Sequence, residues 1–189
     1  MKLIFATNNP NKVKELKSKL TNFEIITLSE IAITEDIPET GKTLAENALQ
    51  KARYVYSKTK KNCFADDTGL EIEILNNEPG VYSARYAGEE KSSENNMKLV
   101  LENLKEKTNR NASFKTVIAL IIDGKETLFE GKIEGEITPK KSGKEGFGYD
   151  PIFKPKGYEI TFAEMELSEK NKISHRALAV EKLVDYLTK

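Results

Sequence analysis

The chain has 189 residues, 38% hydrophobic and 32% charged, and its 30 basic and 30 acidic side chains balance to zero net charge. That apolar content supports a packed core and excludes wholesale disorder, while the charge balance argues against a broad nucleic-acid-binding face. One cysteine and one histidine exclude an intrachain disulfide framework and a single-chain Cys/His zinc site.

Leu3-Ile4-Phe5-Ala6 is a short apolar run that reads as a buried strand. It lacks the length and cleavage site of a signal peptide, and no apolar run reaches the roughly 18 residues of a membrane span, which predicts a soluble cytoplasmic protein with no membrane partner. Thr7-Asn8-Asn9-Pro10-Asn11 is rich in turn and cap residues, and Pro10 suits a first helical position. Val13, Leu16 and Leu20 then mark one face of an amphipathic helix, followed by a strand over 24–28. Thr43-Leu44-Ala45-Glu46 is a capping box opening a long helix that ends near Lys58. Residues 63–65 predict a short strand, Asp66-Asp67-Thr68-Gly69 a functional loop, and residues 70–75 another strand. A loop over 76–88 precedes a helix over 93–107. Residues 112–122 and 127–130 form a hairpin about Asp123-Gly124, with a third strand over 132–138. Residues 139–150 read as a glycine-bearing loop, and Ser174 caps a last helix carrying Ala177, Val180, Leu183, Val184 and Leu187. This order predicts an α/β fold: an elongated mixed β-sheet flanked by helices, one domain over 1–189 split into two lobes around a central nucleotide-binding cleft.

Two phosphate motifs fail. Gly41-Lys42-Thr43 resembles the tail of a P-loop, but Asp36 stands where that motif needs its first glycine. Gly143, Gly146 and Gly148 do not lie between a strand and a helix of a βαβ unit. The first helix is more informative. Lysine near a helix N-terminus is unfavourable by about 0.3–1 kcal/mol, so Lys12 and Lys14 either meet an anion there, with Thr7, Asn8 and Asn11, or are simply solvated. His175 and Arg176, preceded by Lys170 and Lys172, pose the same choice at the last helix.

Asp66-Asp67 is the sharpest local signal. In an extended segment adjacent side chains point opposite ways, so one carboxylate can act while the other supports it. Oxygen ligands of this kind suit Mg²⁺, with Glu39 a candidate second ligand, whereas Glu46 reads as a cap; the alternative is an Asx turn. Phe147-Gly148-Tyr149-Asp150 offers aromatic faces and a carboxylate to a base, or packs locally. Cys63 reads as a small buried hydrophobe.

Taken together, Thr7-Asn8-Asn9-Pro10-Asn11-Lys12, Glu39, Thr43-Leu44-Ala45-Glu46-Asn47-Ala48 and Ala65-Asp66-Asp67-Thr68-Gly69-Leu70 resemble the inosine triphosphate pyrophosphatase family. So do Pro79-Gly80-Val81-Tyr82-Ser83-Ala84-Arg85-Tyr86, Gly146-Phe147-Gly148-Tyr149-Asp150-Pro151-Ile152-Phe153, Thr161-Phe162-Ala163-Glu164-Met165, Glu169-Lys170 and Ile173-Ser174-His175-Arg176. The resemblance implies Mg²⁺-dependent hydrolysis of non-standard purine nucleoside triphosphates (ITP, dITP, XTP) to monophosphate and pyrophosphate, by a homodimer. A Maf-like nucleotide pyrophosphatase with another base preference is the alternative. The resemblance to the inosine triphosphate pyrophosphatase family implies that Thr7, Asn8, Asn9, Pro10, Asn11 and Lys12 hold the triphosphate. Glu39 and Asp67 would ligate Mg²⁺, Asp67 also accepting the proton of the attacking water. Thr68, Phe147, Gly148, Tyr149, Asp150, Lys170, His175 and Arg176 would contact the nucleotide, with Lys51 and Asp66 in support.

Overall fold

A computed structural model describes all 189 residues. The chain folds into strands β1 (Lys2–Phe5), β2 (Glu24–Thr27), β3 (Cys63–Ile72), β4 (Glu78–Pro79), β5 (Asn111–Ile122), β6 (Lys125–Ile137) and β7 (Phe153–Pro155). Its helices are α1 (Pro10–Lys17), α2 (Leu44–Thr59), α3 (Ser93–Asn103), α4 (Leu167–Ile173) and α5 (His175–Leu187). The seven strands make one sheet in the order β2-β1-β3-β5-β6-β7, with β4 on β3. Parallel pairs flank β1, while β3/β4 and β6/β7 are antiparallel, so the expected mixed sheet with helices is present. No helix is long and apolar enough to cross a membrane.

The chain divides into two compact units. The first comprises Met1–Asp67, Thr116–Gly131 and Arg176–Lys189. Its core gathers Leu3 and Phe5 of β1, Leu16 of α1, Phe64 of β3, Ile118 and Leu120 of β5, and Val180 and Leu183 of α5. Phe5 and Phe64 are register partners on parallel strands, and their rings stack at 4.6 Å. The apolar stripe expected on the last helix supplies the α5 side of this core.

The second unit comprises Thr68–Lys115 and Lys132–His175. Its core joins Leu70 and Ile72, the α3 residues Met97 and Val100, and Phe114, Ile137, Ile152, Phe153 and Phe162. Phe114 and Phe153 meet edge to face at 4.7 Å. Strands β3, β5 and β6 contribute residues to both units.

Several elements differ from expectation. Residues 63–75 are not two strands about a loop: β3 runs unbroken through Asp66, Asp67, Thr68 and Gly69 with β5 beside it, while β1 pairs only with its first two residues, Cys63 and Phe64. Residues 125–137 are likewise one strand through Gly131. The hairpin turn itself is as expected, with Asp123 and Gly124 both at positive φ (50° and 81°). Residues 76–88 include β4 and a 3-10 turn over Gly80–Arg85, and α3 ends at Asn103.

Candidate active site

In the first unit, β3 presents its two carboxylates to different partners. Asp66 is 1% exposed. Its Oδ1 accepts from Lys12 Nζ of α1 at 3.0 Å, and its Oδ2 accepts from Arg176 Nε of α5 at 3.1 Å. Arg176 Nη1 also donates to the buried Glu15 of α1. Lys12 and Glu15 lie one helical turn apart and so share a face, which brings both ends of this network to α1. Burial works against ionisation of Asp66, but Lys12 and Arg176 outweigh it and hold its carboxyl well below the usual range. Burial also depresses the Lys12 ammonium, partly offset by Asp66.

Asp67 faces the other way. Its Oδ2 accepts from Asn47 Nδ2 at 3.1 Å and its Oδ1 from Lys51 Nζ at 3.2 Å. Asn47 and Lys51 are four residues apart on α2, the spacing that aligns two side chains on one helical face. The Lys51 ammonium also donates to Glu39 Oε1, so one cation touches both carboxylates expected to hold Mg²⁺. Burial raises the Asp67 carboxyl above its ordinary range, and the neighbouring Glu39 charge adds to this against the pull of Lys51 and Lys12. Lys51 is opposed by burial but held above its usual value by Asp67 and Glu39. The alternation expected of an extended segment is thus present: Asp66 faces Lys12 and Arg176, and Asp67 faces Asn47 and Lys51 on α2.

The α1 N-terminus is capped by its own loop. Asn9 accepts from the backbone N–H groups of Asn11 (3.0 Å) and Lys12 (3.3 Å), and Thr7 Oγ1 accepts from Asn9 N. Pro10 stands at the first helical position as expected. Asn8 donates to the Glu35 carbonyl, and Asn11 is exposed.

In the second unit, Asp150 Oδ2 accepts from the Phe147 backbone N–H at 2.8 Å and from Lys170 Nζ at 2.6 Å. Both Lys170 and Asp150 side chains are 3% exposed. The ammonium stands 5.1 Å from the Phe147 ring centroid. This turn needs a glycine: Gly146 has φ +74°, and a Cβ there would sit 2.1 Å from Asp150 Oδ2. Gly148 is also at positive φ. Tyr149 is buried, and its hydroxyl donates to the Ser83 carbonyl at 2.8 Å. His175 stacks on Phe114 at 4.5 Å. Thr68 follows Asp67 on β3 and is half-buried. The structure therefore brings Lys12, Glu39, Asp66, Asp67 and Arg176 together in one unit, and Phe147, Asp150 and Lys170 in the other. Sequence reasoning missed Glu15 and Asn47, although their helical spacing from Lys12 and Lys51 was a usable signal.

The α/β fold thus carries a buried carboxylate–lysine cluster on its central strand β3, and the family it belongs to gives the class of that site, a nucleoside-triphosphate pyrophosphatase. The Ham1 family profile matches residues 3–186, and the chain belongs to that family. A dITP/XTP pyrophosphatase of Christiangramia forsetii is 56% identical over 190 residues, covering 100% of both chains. The protein of that name from Bacillus subtilis is 50% identical, over 95% of this chain and 93% of its own. Among solved structures, a HAM1 protein from Coxiella burnetii superposes with a TM-score of 0.92 at 40% identity, covering 100% of this chain and 98% of its own. The family resemblance carried by the motifs and the α/β fold read from the order of the elements are both borne out.

Proposed function

We propose that this chain hydrolyses non-standard purine nucleoside triphosphates (dITP, ITP and XTP) to the monophosphate and pyrophosphate, acting as a cytoplasmic homodimer with Mg²⁺. The substrate class is supported by the relatives named dITP/XTP pyrophosphatase. The observation that carries the chemistry is the single ammonium of Lys51 reaching both Glu39 and Asp67, which marks one spot where two hard oxygen donors converge around a cation. That donor set fits Mg²⁺, an ion that takes one or two carboxylates and completes its sphere with water and phosphate oxygens. Glu39 and Asp67 are the residues that would hold it. Bound there, it would supply neutralisation of charge on the phosphate chain.

The chain's own groups do the rest. Asp67, with its raised basicity, accepts the proton of the water whose oxygen attacks the α-phosphorus. As that P–O bond forms, the bond from the α-phosphorus to the bridging oxygen breaks and pyrophosphate leaves with the electron pair. Lys12 offsets the charge gathering on the leaving group, and residues 7–11 with Thr68 position the phosphates. The purine is assigned to Phe147, Gly148, Tyr149, Asp150, Lys170 and His175. A 6-keto oxygen accepts from donors such as His175 and Arg176 where adenine presents an amino group instead.

Incubation with dITP and Mg²⁺ should release pyrophosphate and monophosphate in equal amounts. Orthophosphate, or no turnover on dITP, ITP and XTP, sinks the proposal. Asp67→Asn should lower kcat by about 10²–10⁴-fold, the usual worth of a general base, with an unchanged far-ultraviolet dichroism spectrum.

A further inference from the structure

We infer that Asn47 is a positioning residue that fixes the spacing between Glu39 and Asp67; the inference rests on the reading that these two carboxylates hold a divalent ion. Asn47 is 0% exposed and its amide is used at both ends. Its Oδ1 accepts from the Gly41 backbone N–H at 2.8 Å, and its Nδ2 donates to Asp67 Oδ2 at 3.1 Å. Neither partner allows the amide to flip: a backbone N–H needs an acceptor and an ionised carboxylate needs a donor. One planar group therefore links the loop that carries Glu39 to the strand that carries Asp67.

The loop is held to α2 along its length. Thr40 N donates to Gln50 Oε1 at 3.0 Å, Gly41 N to Asn47, Lys42 N to Glu46 Oε2 at 2.6 Å and Thr43 N to the same oxygen at 3.1 Å. A Cβ at Gly41 would lie 2.6 Å from Glu46 Cβ and 2.8 Å from Asn47 Oδ1, so loop and helix touch as closely as glycine permits. Of these α2 anchors, Asn47 is the one that also grips Asp67. Lys51 touches both carboxylates as well, but an ammonium on a flexible stem is a point charge that follows its partners, whereas a two-ended amide sets a distance. Partners that orient ligating carboxylates typically account for 10–100-fold in metal affinity or activity.

The test compares Asn47→Leu, which keeps the branched shape and loses both bonds, with Gln50→Leu, which loses a loop anchor without touching Asp67. Mn²⁺ is titrated into the full-length protein and free ion is followed by electron paramagnetic resonance. The Mg²⁺ concentration giving half-maximal turnover is measured in parallel. Asn47→Leu should raise both values by about 10–100-fold, while Gln50→Leu leaves the Mn²⁺ constant unchanged. Asn47→Gln, which keeps both groups but displaces them by a methylene, replaces Asn47→Leu if the latter does not fold and should shift both values in the same direction. Wild-type Mn²⁺ binding in the Asn47 variants, or an equal loss in Gln50→Leu, overturns the inference. A wild-type protein that neither binds Mn²⁺ nor needs a divalent ion for turnover overturns instead the ion-binding reading beneath it.

Discussion

Cys63 and Asp66 share one strand, and burial opposes the ionised form of both, yet their partners give opposite outcomes. For Asp66 two cations within hydrogen-bond reach overcome desolvation, and the carboxylate stays charged. Cys63 has no such help. Its thiol is fully buried, donates at 3.3 Å to the Ala52 carbonyl and is pushed up to about 12 by desolvation. A thiol so shielded presents almost no thiolate at pH 8. Iodoacetamide at that pH should therefore leave the native protein unmodified and label it to one adduct per chain in denaturant, as read by mass spectrometry. Fast native labelling would mean that β3 opens far more readily than its buried position between β1 and β5 allows.

At the scale of elements, α2 shows how local chemistry starts a helix. Thr43 Oγ1 accepts from Glu46 N at 3.1 Å while Glu46 returns the bond to Thr43 N, the reciprocal box legible in Thr-x-x-Glu. Thr43→Ala should cost about 1 kcal/mol, a fall of about 2–4 °C in Tm for a chain of this size. Glu46→Ala should show a loss of the same sign, since it removes the other half. Signals of this kind, carried by neighbours in sequence, were readable: the cap, the Pro10 start of α1, the Asp123-Gly124 turn and the alternation that separates Asp66 from Asp67. Readings that depended on distant pairing went astray. Asp66 to Gly69 look like a loop by composition, and only flanking strands make them a strand. Gly131 looks like a strand end and is not one. Helix α4 has too few apolar positions to show a period. The spacing of Glu15 from Lys12 places it on their shared helical face, but its partnership with Arg176, 161 positions away, is not legible locally.

At the scale of the whole molecule, two cores have formed on a chain that carries no net charge. Leu183 of α5 is 0% exposed in the core of the first unit, and Ile152 is 0% exposed in that of the second. Truncating either to alanine removes buried methyl groups and leaves a cavity, at a cost of about 2–5 kcal/mol. The informative quantity is where that cost is read. Strands β3, β5 and β6 supply residues to both units, so neither core can come apart while these strands keep their pairing throughout. Urea unfolding should accordingly be a single transition, followed alike by far-ultraviolet dichroism and by tyrosine fluorescence. Leu183→Ala and Ile152→Ala should each lower its midpoint without changing the slope, as expected when stability changes and the surface exposed does not. If one substitution instead splits the curve into two steps, the units unfold separately and the shared strands do not couple them.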